Sequence, residues 1–257
     1  MASRKIAIVT GASGGLGKAF TELLAGEALD EIWAIARSEA KLGALREALG
    51  DRIRPFALDL TEAGAFTTIS RALEQETPEV HYLVNNAGYG KFGAYNDISL
   101  ADSMGMIDLN ISAVVRMGLI ALPYMPRGAH LLNIASQASF QPLPYLNIYA
   151  ATKAFVRNYT RALNVELADR GITATAVCPG WINTGFFARG DIGADKTARR
   201  YPHMADPHEV AKKALRDARR GHDMSVFSGY VKLCHLGSRL VSQKTAMRFW
   251  LRMQKLR

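Results

Sequence analysis

Lys5-Ile-Ala-Ile-Val-Thr-Gly-Ala-Ser-Gly-Gly-Leu-Gly17 is an apolar run that breaks abruptly into glycine. The apolar half reads as a buried strand. Beyond the glycines, Leu16, Phe20, Leu23 and Leu24 recur at helical spacing. Strand, glycine turn and helix in that order form the first unit of a parallel α/β sheet. Glycines at 11, 15 and 17 let the backbone turn tightly and approach a pyrophosphate. The helix start then offers free N–H groups and a positive dipole end. An ordinary tight turn would use the same residues, so the loop needs support from the rest of the chain.

That support comes from the alternation that follows. Strands are predicted at Ile32–Ala36, Ile53–Leu58, His81–Val84, His130–Ala135 and Ile172–Val177, with an edge strand at Ser225–Phe227. Helical periodicity fills the gaps. Leu42, Leu45 and Leu49 follow a Ser38 cap, and Phe66, Ile69 and Leu73 follow a Thr61 cap. A long helix is predicted from Leu100 to Leu122, another from Asn147 to Asp169 with Gly171 placed to end it, and a further one from Pro207. The fold class expected is α/β, a Rossmann-like doubly wound parallel sheet of about seven strands with helices on both faces. Residues 1–228 form the expected catalytic domain and 229–257 a basic amphipathic tail.

Composition narrows the function classes. The 257 residues are 49% hydrophobic and 21% charged, as expected of a soluble globular chain. The two cysteines, Cys178 and Cys234, stand far apart with no metal-binding spacing, so neither a disulfide framework nor a metal site is expected. No stretch reads as a secretory leader or a membrane-spanning helix, and the expected location is cytoplasmic, with membrane association kept open. The net charge of +9 owes much to Lys232, Arg239, Lys244, Arg248, Arg252, Lys255 and Arg257, because no acid occurs from Met224 onward. No nucleic-acid motif accompanies that charge, so nucleic acid is not an expected partner.

Arg37 follows the second strand, where an acid would hold the ribose hydroxyls of NAD. A guanidinium there suits the 2′-phosphate of NADP. Asp59 and Asn85-Asn-Ala-Gly88 end the third and fourth strands, on the rim where a dinucleotide would rest. Tyr149 and Lys153 lie four residues apart, on one face of the predicted helix. A nearby ammonium favours a phenolate and brings a tyrosine toward acid–base work near neutral pH. Ser136 ends the fifth strand, where its hydroxyl can point at the same place.

Together these residues resemble the short, single-domain branch of the short-chain dehydrogenase/reductase (SDR) family. The resemblance rests on Thr10-Gly-Ala-Ser-Gly-Gly-Leu-Gly17, Asp59-Leu60, Asn85-Asn-Ala-Gly88, Asn110, Ser136, Tyr149-Ala-Ala-Thr-Lys153 and Pro179-Gly-Trp-Ile-Asn-Thr184, in the family's order over about residues 5–228. It implies that Tyr149 is the general acid in reduction and the base in oxidation. Lys153 would lower the Tyr149 pKa and hold the nicotinamide ribose. Ser136 would polarise the substrate oxygen, and Asn110 would anchor a water leading from Lys153. It assigns to the cofactor Gly11, Ser13, Gly15, Leu16, Gly17, Arg37, Asp59, Leu60, Asn86, Ala87, Gly88, Tyr149, Lys153, Pro179, Gly180, Ile182 and Thr184. The expected cofactor is NADP(H), preferred over NAD(H). Many NADP-preferring relatives carry a second basic residue in the glycine loop, where this chain has Ser13 and Gly14.

The activity implied is interconversion of a ketone and a secondary alcohol, acting as reductase on an apolar substrate such as a hydroxysteroid or 3-oxoacyl compound. A silent NADP(H)-binding sensor or scaffold is the alternative. Ser136, Tyr145, Phe186 and Phe187 are expected to meet the substrate, from an aromatic inventory that includes Tyr89, Phe92, Phe140 and Trp181. The resemblance implies a homodimer or homotetramer through the helices at 100–122 and 147–169. In the tail, Lys244, Arg248, Arg252 and Lys255 fall on one helical face, with Ala246, Phe249, Trp250, Met253 and Leu256 roughly opposite. Such a helix at 242–257 could lie on an anionic membrane or dock on its own domain.

Overall fold

The computed structural model describes residues 3–256. Its strands are β1 Lys5–Thr10, β2 Glu31–Ala36, β3 Ile53–Ala57, β4 Glu79–Asn85, β5 His130–Ile134, β6 Thr173–Cys178 and β7 Met224–Val226. They form one sheet in the order β3-β2-β1-β4-β5-β6-β7, and every pair is parallel. The order reverses between β1 and β4, which opens a crevice at the carboxyl ends of those strands.

Two apolar layers hold the sheet. On one face, α1 (Gly15–Ala25), α2 (Glu39–Leu49) and α8 (Pro207–Arg219) pack Phe20, Leu24, Leu42, Leu45, Val210 and Ala214 against Ala7, Val9 and Ala34. On the other, α3 (Ala63–Glu76), α5 (Ala113–Ala121) and α6 (Asn147–Glu166) pack Phe66, Ile69, Leu73, Met117 and Leu163 against Ile6, Ile8, Trp33 and Leu83. Strands β1 and β2 are thus buried on both sides, which is why they read as continuous apolar runs.

Local details depart from expectation. Thr61 does not cap α3; its hydroxyl and its backbone N–H both bond Asp59 Oδ1, and the helix starts after Glu62 with no side-chain cap. Ser38 does cap α2, accepting from Lys41 N. The long helix is α4 (Leu100–Ile107), a π-turn at Asp108–Ser112 and α5. Asn110 sits fully buried inside that π-turn. Leu100–Tyr124 is by length and composition apolar enough to cross a membrane, but Met106, Asn110, Met117 and Ala121 bury its inner side in the core. Helix α6 ends at Glu166 rather than Asp169, and Gly171 takes a left-handed φ of +65° in the turn beyond.

A short α7 (Phe186–Gly190) follows β6, and the tail folds as α9 (Gly229–Leu240) and α10 (Gln243–Gln254). Trp250 of α10 is only 4% exposed and donates from Nε1 to the Pro144 carbonyl at 2.9 Å. Gln254 is also buried. Its Oε1 accepts from Arg199 N and Arg200 N, and its Nε2 donates to the Arg200 carbonyl. The tail thus packs on the body of its own chain.

Buried polar groups stitch the sheet to α6. Asn85 Nδ2 donates to Asn133 Oδ1 across the β4–β5 register at 2.9 Å, and Asn133 Nδ2 donates to Thr160 Oγ1 at 2.9 Å. Removing the middle member leaves Asn85 Nδ2 with only a 3.5 Å contact to the Val114 carbonyl and takes a donor from Thr160 Oγ1, each loss worth about 1–3 kcal/mol when buried. Asn133→Ala is expected to lower unfolding stability by about 2–4 kcal/mol, read from the urea midpoint, with the m-value unchanged.

Candidate active site

The crevice above β1 and β4 is a cleft of about 630 Å³ running from the end of β2, past the glycine loop, to the first turn of α6. Gly11 and Gly15 have φ of +65° and +53°, which side chains resist. A Cβ at Gly17 would collide with the Gly11 carbonyl oxygen and the Asn86 amide, so this glycine serves the turn itself. Thr10 Oγ1 accepts from the backbone N–H groups of Asn86 and Ala87 at 3.0 and 2.9 Å, and Asn86 Nδ2 donates to the Thr10 carbonyl at 3.0 Å. These bonds lock the β4 loop onto the glycine turn. Every residue that the sequence assigns to the cofactor lines the cleft except Gly17, which lies beneath the turn.

At the outer end, Arg37 reaches 3.7 Å from Asp59. Burial pushes the Asp59 carboxyl up, but its two bonds from Thr61 and the Arg37 and Arg189 cations outweigh that and hold it below its usual range. Ser38 and Lys41 from the start of α2 line the same end. Arg189, on α7, lines it too and lies 5.0 Å over the Tyr89 ring.

At the inner end stand Ser136, Tyr149 and Lys153, all buried. Ser136 Oγ accepts from Ala138 N at 3.1 Å, which fixes the oxygen and leaves the hydroxyl proton to be donated. Lys153 Nζ donates to the Ile134 carbonyl at 2.7 Å and lies 5.9 Å from the centroid of the Tyr149 ring. Burial pulls the Lys153 ammonium down to about 8. Burial pushes the Tyr149 phenol up to about 12, with a hydrogen bond from Ser136 acting the other way. The phenol is protonated across the neutral range.

Asn110 does not line the cleft. Its Oδ1 accepts from Tyr89 N, and its Nδ2 donates to the Tyr89 carbonyl and to Thr152 Oγ1. Both amide protons are thus occupied by protein. The side chain pins the Gly88–Tyr89 segment to α6 one residue from Lys153.

The third wall is apolar. Phe186, Phe187, Trp181, Leu143 and Leu146 line it, joined by Phe249, Trp250 and Met253 of α10 and by Tyr230 and Cys234 of α9. The rings form a continuous set: Trp181 packs on Phe187, Tyr201 and Trp250 with centroids 5.4, 5.0 and 6.4 Å away. Tyr145 does not line the cleft as expected. It has φ of +65° and its carbonyl accepts from Gly93 N, while Leu143 and Leu146 on either side face inward. Phe92 is fully buried behind Tyr149 and Phe186 rather than exposed to a ligand. Lys41, Arg189 and the contributions of α9 and α10 were not assigned from sequence. No motif marks them: Lys41 lies one turn beyond Arg37, and the others are brought here by segments distant in the chain. Among the described residues no cluster of potential metal ligands occurs.

The glycine pair supplies a direct check. At Gly14 the backbone is extended and a Cβ would meet nothing within 4 Å. Gly17→Ala is expected to lower Tm by roughly 2–10 °C through overpacking and to abolish dinucleotide binding. Gly14→Ala should leave Tm unchanged. Thermal unfolding followed by circular dichroism reads both.

Comparison with known proteins agrees with this architecture. A family model described as short chain dehydrogenase matches residues 5–191. The 3-oxoacyl-[acyl-carrier-protein] reductase FabG of Vibrio cholerae is 32% identical over 212 residues, covering 80% of this chain and 86% of the relative. An uncharacterized oxidoreductase of Staphylococcus epidermidis is 29% identical over 194 residues, covering 75% of this chain and 84% of the relative. A short-chain dehydrogenase from Sphingobium yanoikuyae, solved in complex with NADPH, has a TM-score of 0.78 at 26% identity, covering 92% of this chain and 94% of that one. With the matched segment holding the glycine turn, Ser136, Tyr149 and Lys153 together, the chain belongs to the short chain dehydrogenase family of oxidoreductases.

Proposed function

We propose that the protein is an NADP(H)-dependent oxidoreductase that interconverts a ketone and a secondary alcohol, working chiefly as the reductase of an apolar substrate. One observation carries the reading: a single cleft has a cationic outer end, a Ser136–Tyr149–Lys153 inner end and an aromatic third wall. The residues fit a dinucleotide, since the glycine turn leaves room for backbone approach and α1 aims its N-terminus at the cleft. When bound, the nicotinamide supplies or accepts the hydride at the substrate carbon.

The chain's own residues do the rest. Tyr149 gives its proton to the carbonyl oxygen as that oxygen gains charge, and a phenol pushed up to about 12 by burial stays protonated until needed. Ser136, its oxygen held by Ala138 N–H, turns its proton toward the same substrate oxygen. Lys153 uses one donor on Ile134, leaving others for the nicotinamide ribose. Asn110 holds the Gly88–Tyr89 wall beside Lys153. The aromatic wall excludes water from this reaction and favours a ring or acyl substrate.

For the 2′-phosphate, Arg37 does not act alone as the sequence implied. Lys41 and the Ser38 hydroxyl stand beside it, and Arg189 adds a cation from the other side of the cleft. These make up for the basic residue missing from the glycine loop. Leu119, Phe155 and Val165 lie exposed on α5 and α6, and we assign a homo-oligomer contact to that face.

Turnover of NADPH with steroid ketones, 3-oxoacyl thioesters and aromatic ketones tests the reading. Tyr149→Phe is expected to lower kcat by roughly 10²–10⁴-fold while NADPH still binds. A Tyr149→Phe protein as active as wild type would refute the assignment. The pH profile carries a signed expectation. The Lys153 ammonium is charged below about 8 and neutral above it, so kcat/KM for reduction should be level below that pH and fall above it. Lys153→Met should be slow and flat throughout.

Cofactor choice is tested separately by fluorescence titration. Arg37→Ala is expected to weaken NADPH binding roughly tenfold, the worth of one charged hydrogen bond, and to leave NADH binding unchanged. A wild type that binds both equally removes the NADP(H) preference.

A further inference from the structure

We propose that α9 and α10 form a docking face for an anionic lipid bilayer, and that the substrate cleft opens onto this face. The argument starts from what the two helices leave unpartnered. On α9, Leu233, Leu236 and Leu240 follow one another at helical spacing and are 68%, 54% and 77% exposed. Val241 continues the stripe, and Phe249 on α10 is 68% exposed. Most of the apolar side chains of α10 turn inward: Ala246 and Trp250 are buried and Leu251 and Met253 pack against the same cluster, which leaves Phe249 exposed. The membrane-facing apolar surface is therefore mainly on α9, not on the α10 face that helical periodicity alone picks out.

Cations border this stripe. Lys232, Arg239, Lys244, Arg248, Arg252 and Lys255 are all exposed, and none forms an ion pair among the described residues. No acid occurs from Met224 to the end of the chain. Exposed leucines with unpaired cations and no acid match a surface that is anionic outside and apolar within. A second copy of the chain fits poorly, since pairing this face with itself would set like charges together. Nucleic acid offers the charge but no apolar layer for the leucines.

The same two helices line the cleft. Tyr230 and Cys234 come from α9, and Phe249, Trp250 and Met253 from α10. A bilayer on this face would place the apolar wall beside the lipid, so a hydrophobic ketone could pass inward without crossing water. That last step rests on the substrate class argued above; the docking itself does not.

Truncating the tail would remove Trp250 and Gln254 from the body, so surface substitutions make the test. The full chain is floated with phosphatidylcholine vesicles and with vesicles that also contain phosphatidylserine. Binding is expected only to the second kind, weakening as salt rises. The variant Lys244→Gln/Arg248→Gln/Arg252→Gln is expected to reduce partitioning on the order of a hundredfold, at about one order of magnitude for each cation and a half removed. The variant Leu233→Ser/Leu236→Ser/Leu240→Ser should lose binding as well. Both variants should keep wild-type turnover of a water-soluble ketone, since none of the six residues lines the cleft. A wild type that ignores the anionic vesicles, or a triple-Gln variant that binds them equally well, overturns the proposal. So does light scattering that shows a wild-type dimer split by the leucine variant without any vesicle binding. Vesicle binding by a protein that turns over no ketone supports the docking and refutes the substrate reading instead.

Discussion

The bond from Lys153 Nζ to the Ile134 carbonyl fixes the geometry on which the site depends. It ties the first turns of α6 to the end of β5, two residues before Ser136. An ammonium is costly to bury without a counter-charge, and here a carbonyl and the face of the Tyr149 ring offset part of that cost. The same dry surroundings act on both partners with opposite sign. Burial disfavours the charged form of each, so it lowers the lysine and raises the tyrosine. A protonated phenol and a labile ammonium side by side are suited to delivering a proton to an oxygen that gains negative charge.

That arrangement needs a rigid base, and the buried polar groups supply it. Thr152 Oγ1 donates to the Tyr149 carbonyl and accepts from Asn110 Nδ2. Asn110 sits buried within the π-turn, where its amide reaches both Tyr89 and Thr152. A single wide turn in the helix therefore positions the Gly88–Tyr89 segment, α6 and the lysine with respect to one another. Helical irregularities of this kind recur at functional sites for the same reason.

The parts of this design that are legible in the sequence are those set by neighbours along the chain. The strands show as apolar runs because both faces of β1 and β2 are covered. The glycine turn, Ser136 and the Tyr149–Lys153 pair show because their spacing is local. What the sequence hid is set partly by local backbone and side-chain competition and partly by segments far apart. Thr61 has the identity of a helix cap, but Asp59 captures its hydroxyl. Tyr145 has the identity of a pocket residue, but a left-handed backbone places its neighbours there instead. Lys41 carries no motif although it stands one turn beyond Arg37, and Arg189 reaches that end only because the fold brings α7 to it. Periodicity put Phe249 and Trp250 on one side of α10, yet one is exposed and the other buried, since a helix face says nothing of how far a neighbouring body extends.

The tail is where sequence and fold diverge most, and its role follows from two residues. Trp250 bonds the segment that leads into α6, and Gln254 bonds the backbone of Arg199 and Arg200 three times. These are the two stretches that flank the aromatic wall. A loop as long as 191–206 loses considerable entropy when ordered, and a buried amide that satisfies three backbone groups offsets part of that loss at one point. The shape of the apolar wall thus depends on helix α10 staying docked, whereas Ser136, Tyr149 and Lys153 are held by β5 and α6 alone. Changes in the tail therefore alter the apolar wall while leaving Ser136, Tyr149 and Lys153 where they are. The matched family segment ends at residue 191, so α9 and α10 lie beyond it while Leu143, Leu146, Trp181, Phe186 and Phe187 of the same wall lie within it. The apolar wall is accordingly assembled from both sides of that boundary, whereas Ser136, Tyr149 and Lys153 all lie within the matched segment.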